Sequence, residues 1–263
     1  MDPLQVTWIR YTVSVILVSA VLNPWSRPGI LVTRKPWLQA ARSLLLVGST
    51  ALNFIALQYL QLAETISIIF ATPMLVALLA GPVLGEWVGP RRLIAIAVGF
   101  VGVLIITRPG VGGMHPAALL SVVGCFCYAA YSLLTRLLAA HDSSDTTMFY
   151  SGIAGVIVMS PVLPSVWSMP QSPVDWGVML LIGALAAIGH WFIIEAHRRA
   201  PAGILAPFIY SQIIWMLALG WLIFDQLPDR WTFVGAAIVI ASGLYLIYRE
   251  RVRAVPVASA RID

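Results

Sequence analysis

Apolar runs of bilayer-spanning length alternate with short polar breaks along the whole chain. Punctuated by proline, glycine and charge, they fall at about 4–22, 37–59, 63–85, 90–107, 116–138, 145–166, 174–196, 200–224 and 230–248. A hydrocarbon core of roughly 30 Å needs about 20 apolar residues in helical form. The runs meet that need with their flanks. They are too long for barrel strands and lack polar alternation. The pattern predicts an all-α polytopic membrane protein with nine transmembrane helices, short connections and a polar tail after Arg249.

The best-defined part of the pattern is a helical pair from Ala63 to Gly110, joined by a charged turn between Glu86 and Arg91. It recurs further along the chain. Ala63, Thr72, Gly81, Glu86 and Arg91 are echoed by Ala202, Ser211, Gly220, Asp225 and Arg230. The segment from Val6 overlays the one from Thr146 at an offset of 140, with Thr7 on Thr147. Segments 37–59 and 174–196 also correspond, and 90–107 corresponds to 230–248. The helix at 116–138 has no partner, since its counterpart would precede the first residue. Four helices followed by five give corresponding helices opposite directions, which is an inverted repeat. The expectation is a ten-helix architecture without its first helix; a natural nine-helix chain is the alternative.

Composition agrees with a membrane chain. Hydrophobic residues make up 60% and charged residues 10%, with a mean hydropathy of +0.90; soluble domains carry about 25% charge. The net charge of +5 sits between apolar runs and forms no nucleic-acid footprint. One set of breaks holds Arg27, Arg34, Lys35, Arg42, Arg91, Arg92, Arg136, Arg198 and Arg199, and the tail adds four more arginines. The other set holds Arg10, Arg108 and Arg230. The positive-inside rule therefore puts the C-terminus in the cytoplasm and the N-terminus of this chain outside.

The chain resembles the EamA branch of the drug/metabolite transporter superfamily. The likeness is carried by LLLVGSTALNFIALQYL (44–60), AETISIIFATPMLVALLAGPVLGE (63–86), GFVGVLIITRPG (99–110), CYAAYSLLTR (127–136) and APFIYSQIIWMLALGWLIFDQLPD (206–229). The tract from Ala206 to Arg249 is also similar to riboflavin and S-adenosylmethionine importers of that superfamily. The resemblance implies two five-helix repeats, the first spanning 1–110 without its leading helix and the second 111–249, followed by a tail at 250–263. It implies a bacterial inner-membrane transporter of small solutes with no cofactor. One departure is that Pro73 is matched by Gln212 in the echo.

Inverted-repeat transporters bind solute near the midplane, so polar groups at mid-depth are the candidates. Asn53 offers an amide donor and acceptor, either to a solute or across helices. Thr72 and Pro73 stand mid-segment, where proline frees a backbone carbonyl for a ligand or for a satisfied kink. Their echo holds Pro207, Tyr210, Ser211 and Gln212, a proline beside a Tyr-Ser-Gln step that gives the best single site signal in the chain. Tyr128 and Tyr131, three apart on one helix face, form either a stacking wall for a ring-containing solute or ordinary core. His190 is either a proton relay or a satisfied core histidine. Arg10 is either an attractor for an anionic group or a snorkelling anchor, and Glu64 is solvated at a segment edge.

An intramembrane enzyme would need motifs that are not met. HWFIIEAH (190–197) is not a zinc-binding H-E-x-x-H, Ser151 lacks flanking glycines, and the only lysine, Lys35, follows Arg34 rather than a glycine. The reading is a secondary transporter of a small organic metabolite, riboflavin-like or aromatic, working by alternating access. A transport-inactive membrane subunit is the alternative.

Overall fold

A computed structural model describes residues 2–24, 26–60, 65, 68–107, 115–225 and 230–253. All regular structure among these residues is helical. Helix α1 spans Pro3–Leu22 and α2 Pro36–Ala56; α3 spans Thr72–Leu84 and α4 Pro90–Thr107. They are followed by α5 (Ala118–Leu138), α6 (Ser144–Met159), α7 (Pro173–Arg199), α8 (Ser211–Phe224) and α9 (Arg230–Arg253). Glu64 and Arg108 lie outside the described residues.

Local chemistry sets the boundaries. Proline at the first turn of α1, α2 and α7 occupies a position whose N–H has no intrahelical acceptor in any case. Asp2 caps α1, its side chain accepting from the Leu4 N–H at 2.8 Å. Ser172 and Asp175 form a reciprocal capping box on α7, whose last turn carries His197, Arg198 and Arg199 where the helix dipole favours cations. Gly85 closes α3 in the left-handed region at φ 71°, which costs a glycine little.

Among the described residues, α1, α2, α5 and α7 are long and apolar enough to cross a bilayer, and shorter apolar helices run over Thr72–Leu84, Ala202–Trp215 and Arg230–Leu246. Large apolar side chains such as Val21, Leu119, Phe192 and Leu222 face outward. That surface suits lipid rather than water. Helix α1 packs between α6 and α7, α2 packs on α5 and α6, α3 on α5, and α4 on α9. The α4–α9 contact is close: a Cβ on Gly102 would stand 2.9 Å from the Gly235 carbonyl oxygen, and one on Gly235 2.6 Å from that of Gly102.

Two expected segments are interrupted. In 63–85, Phe70 and Ala71 form a turn immediately before α3. In 200–224, a helical turn at Ala202–Leu205 gives way to a 3-10 stretch at Ala206–Tyr210 before α8 begins. Proline explains both, since Pro73 and Pro207 lack the N–H that a continuous α-helix would use.

The structure corrects one assignment. Arg42 is not a loop residue: it lies inside α2 and is 0% exposed. The polar capping of its guanidinium, described below, explains how it is accommodated.

Candidate functional site

The interrupted segments meet α2 and α5 around a cavity of about 720 Å³, within the range of small-molecule sites. Helix α2 contributes Ser49, Thr50 and Asn53, three residues of one helical turn. The first interrupted segment contributes Ile69 and Thr72, and α5 contributes Gly124, Cys125 and Tyr128. The second interrupted segment closes the wall from Ala202 to Gln212.

The proline-freed carbonyl of Ile69 is satisfied locally: the Thr72 hydroxyl donates to it. Cys125 Sγ lies 3.1 Å from the same hydroxyl, tying α5 to the break. Asn53 Nδ2 donates to the Ser49 carbonyl at 2.8 Å. That bond orients the amide and leaves Asn53 Oδ1 buried without a partner, an acceptor that costs free energy until something donates to it. Gly124 makes room for the amide, since a Cβ there would stand 2.5 Å from Asn53 Nδ2.

Asn53, Thr72, Tyr128, Ser211 and Gln212 thus come together in one wall. Pro73, Tyr131, His190, Pro207 and Tyr210 do not line it. Pro73 and Pro207 are buried in the breaks they create. Tyr210 is 1% exposed and donates to the Ile96 carbonyl at 3.3 Å. His190 borders a separate void of about 10 Å³ shared with Arg10, Tyr11 and Ser14, too small for an organic solute.

Tyr131 is enclosed by Arg42. The guanidinium donates through Nε to Thr135 Oγ1 at 2.8 Å, through Nη1 to Ser151 Oγ at 2.6 Å and the Thr147 carbonyl at 3.2 Å, and through Nη2 to the Tyr131 hydroxyl at 3.2 Å. This network joins α2, α5 and α6 through residues that do not line the cavity. A signal for it was present in the sequence: Gln39, Arg42, Ser43, Ser49 and Asn53 recur at helical spacing within an otherwise apolar run.

Near the chain breaks, Glu86 accepts from Arg136 Nε at 2.8 Å and from the Ala202 N–H at 3.0 Å. Arg136 also donates to the His197 carbonyl at 2.9 Å. Glu86 therefore pins the start of the second interrupted segment to the ends of α3 and α5.

A family model described as the EamA-like transporter family matches residues 1–108 and 115–249. The chain belongs to the EamA-like transporter family. It is an integral membrane protein of a family of transporters rather than enzymes. It is 28% identical over 251 residues to a riboflavin transporter of Vibrio cholerae, covering 93% of this chain and 83% of that protein. It is 25% identical over 248 residues to an S-adenosylmethionine uptake transporter of Rickettsia prowazekii, covering 94% and 83%. A riboflavin transporter of Rhizobium johnstonii is 27% identical over 223 residues, covering 83% and 72%. A protein of known crystal structure shares the fold with a TM-score of 0.82 at 16% identity, over 97% of this chain and 90% of that one.

Proposed function

We propose that this EamA-family chain carries a small organic metabolite across a bacterial membrane by alternating access at the 720 Å³ cavity. The observation that carries the reading is the meeting of two interrupted helical segments, at Phe70–Ala71 and Ala206–Tyr210, in one polar wall. Broken helices at mid-depth expose backbone and polar side chains where a solute must leave water. Tyr128 supplies a flat face for a ring-bearing solute, and Asn53, Thr72, Ser211 and Gln212 supply hydrogen bonds.

The inverted repeat is part of the proposal, with units at 1–110 and 111–249 and a tail at 250–263. Packing supports it. The corresponding segments pack in matching pairs: α4 lies against α9, and the α1–α7 contact is matched by the α2–α6 contact. The distribution of arginines supports a cytoplasmic C-terminus and an N-terminus outside.

The relatives move riboflavin or S-adenosylmethionine, and both solutes carry a ring system. The test is a thermal-shift screen of the purified protein with a solute panel containing both. A bound solute raises the unfolding temperature by mass action, and Tyr128→Ala is expected to remove that rise. A panel that stabilises nothing, or a rise that survives Tyr128→Ala unchanged, overturns the assignment of this cavity.

A further inference from the structure

We propose that Arg10 is the anion anchor of the cavity and that the solute carries a carboxylate; this rests on the solute-carrier reading above. Arg10 stands on α1 and is half-buried, within a span apolar enough to cross the membrane. Arg10 is among the residues that line the cavity, beside Thr50. One hydrogen bond engages it, a long one of 3.4 Å from Nη2 to Thr50 Oγ1, and it rests 5.0 Å from the Tyr11 ring centroid. Among the described residues, no carboxylate pairs with it.

The contrast with Arg42 decides the assignment. Arg42 is also without a carboxylate, but it spends its donors on two hydroxyls, a carbonyl and a phenol and is sealed from the cavity. Arg10 engages one of its five donors and belongs to the cavity lining. A cation at membrane depth is costly unless paired, and a guanidinium presents a planar fork matched to a carboxylate. The small void that Arg10 also borders holds about 10 Å³ and admits no organic anion. The counterion therefore arrives through the cavity, on the solute. Asn53 Oδ1, the unpartnered acceptor three residues from Thr50 on the same helix, then takes an N–H or O–H of that solute. The class is a ring-bearing carboxylic acid with a donor group near the acid, as in an α-amino acid.

The test uses matched pairs that differ at the acid: S-adenosylmethionine against decarboxylated S-adenosylmethionine, and tryptophan against tryptamine, with riboflavin as a carboxylate-free ring. Affinities are read on the purified full chain by microscale thermophoresis. A carboxylate-bearing member is expected to bind and its carboxylate-free partner to bind more weakly. Arg10→Gln should weaken the acid roughly 10- to 100-fold, the worth of a charged hydrogen-bonded contact, with Arg10→Lys in between. Thr50→Asp places an acid beside the guanidinium and should abolish binding of the carboxylate solute while leaving the unliganded unfolding temperature unchanged or raised. That variant separates loss of the anchor from loss of the fold. Equal binding of acid and acid-free members, riboflavin binding alone, or affinity unchanged in Arg10→Gln overturns the anchor and leaves the carrier reading standing. Binding of no member sinks both.

Discussion

The rings of Phe70 and Tyr210 meet with centroids 6.0 Å apart and planes inclined by 57°. Each of the two residues stands at the break in its own interrupted segment. Phe70 is 1% exposed and the pair packs with Val103, Ile213 and Val239, joining the two breaks to α4 and α9. Neither ring is part of the cavity wall.

Tyr210→Ala should therefore act on stability first. Removing a buried aromatic ring costs about 3–5 kcal/mol, whereas Tyr210→Phe gives up one bond of 3.3 Å to Ile96 and should cost about 1 kcal/mol or less. Unfolding in graded SDS checks the difference. Solute affinity in Tyr210→Phe should match that of the parent protein.

Removing Arg42 separates volume from charge. Thr135 Oγ1 already donates to the Tyr131 carbonyl, and Ser151 Oγ to the Thr147 carbonyl. Neither hydroxyl is orphaned when the guanidinium goes. Arg42→Met, which fills the space without a cation, should cost less than Arg42→Ala by roughly 2 kcal/mol or more, by analogy with buried charges replaced by apolar groups of similar volume. The same SDS unfolding measurement reads it. Equal loss in both variants would mean the charge itself holds the three helices together.

Glu86 and Arg136 should be energetically coupled. Their side chains are 22% and 26% exposed and 2.8 Å apart. A double-mutant cycle with Glu86→Ala and Arg136→Ala should return a coupling of about 0.5–2 kcal/mol. Each single change also loses a backbone partner, the Ala202 N–H for Glu86 and the His197 carbonyl for Arg136, so both should cost more than the coupling alone.

Gly124→Ala tests the cavity wall by the smallest possible change. The new methyl would stand 2.5 Å from Asn53 Nδ2, so the amide must turn away from its bond to Ser49. Solute affinity should fall about tenfold or more, the scale of one buried hydrogen bond and its displaced acceptor, as read by the thermal-shift titration.

How much of this was legible in the sequence differs from residue to residue. Helical segments follow from run length and from proline and glycine at their ends, and the interruptions were signalled by Pro73 and Pro207. Hydropathy alone could not tell that 63–85 and 200–224 are broken, because apolar composition is the same in a helix and in a turn buried by neighbours. Asn53, Thr72, Tyr128, Ser211 and Gln212 were readable as polar groups at mid-depth. Tyr131 and Tyr210 carry the same chemistry, but which side of a helix meets the cavity depends on tertiary packing. Arg42 was hidden by a count: arginine near a span end normally marks an interface, and only the helical stripe through Gln39 and Ser49 argued for an interior place.

The central claim is that solute crosses the membrane through the chamber lined by Asn53 and Tyr128. Uptake of labelled S-adenosylmethionine and riboflavin into liposomes containing the purified protein tests it most directly. The account predicts saturable accumulation of at least one solute, lost in the Asn53→Ala/Tyr128→Ala double variant with the protein still folded. Accumulation no greater than in empty liposomes, or accumulation unchanged in the double variant, would contradict it.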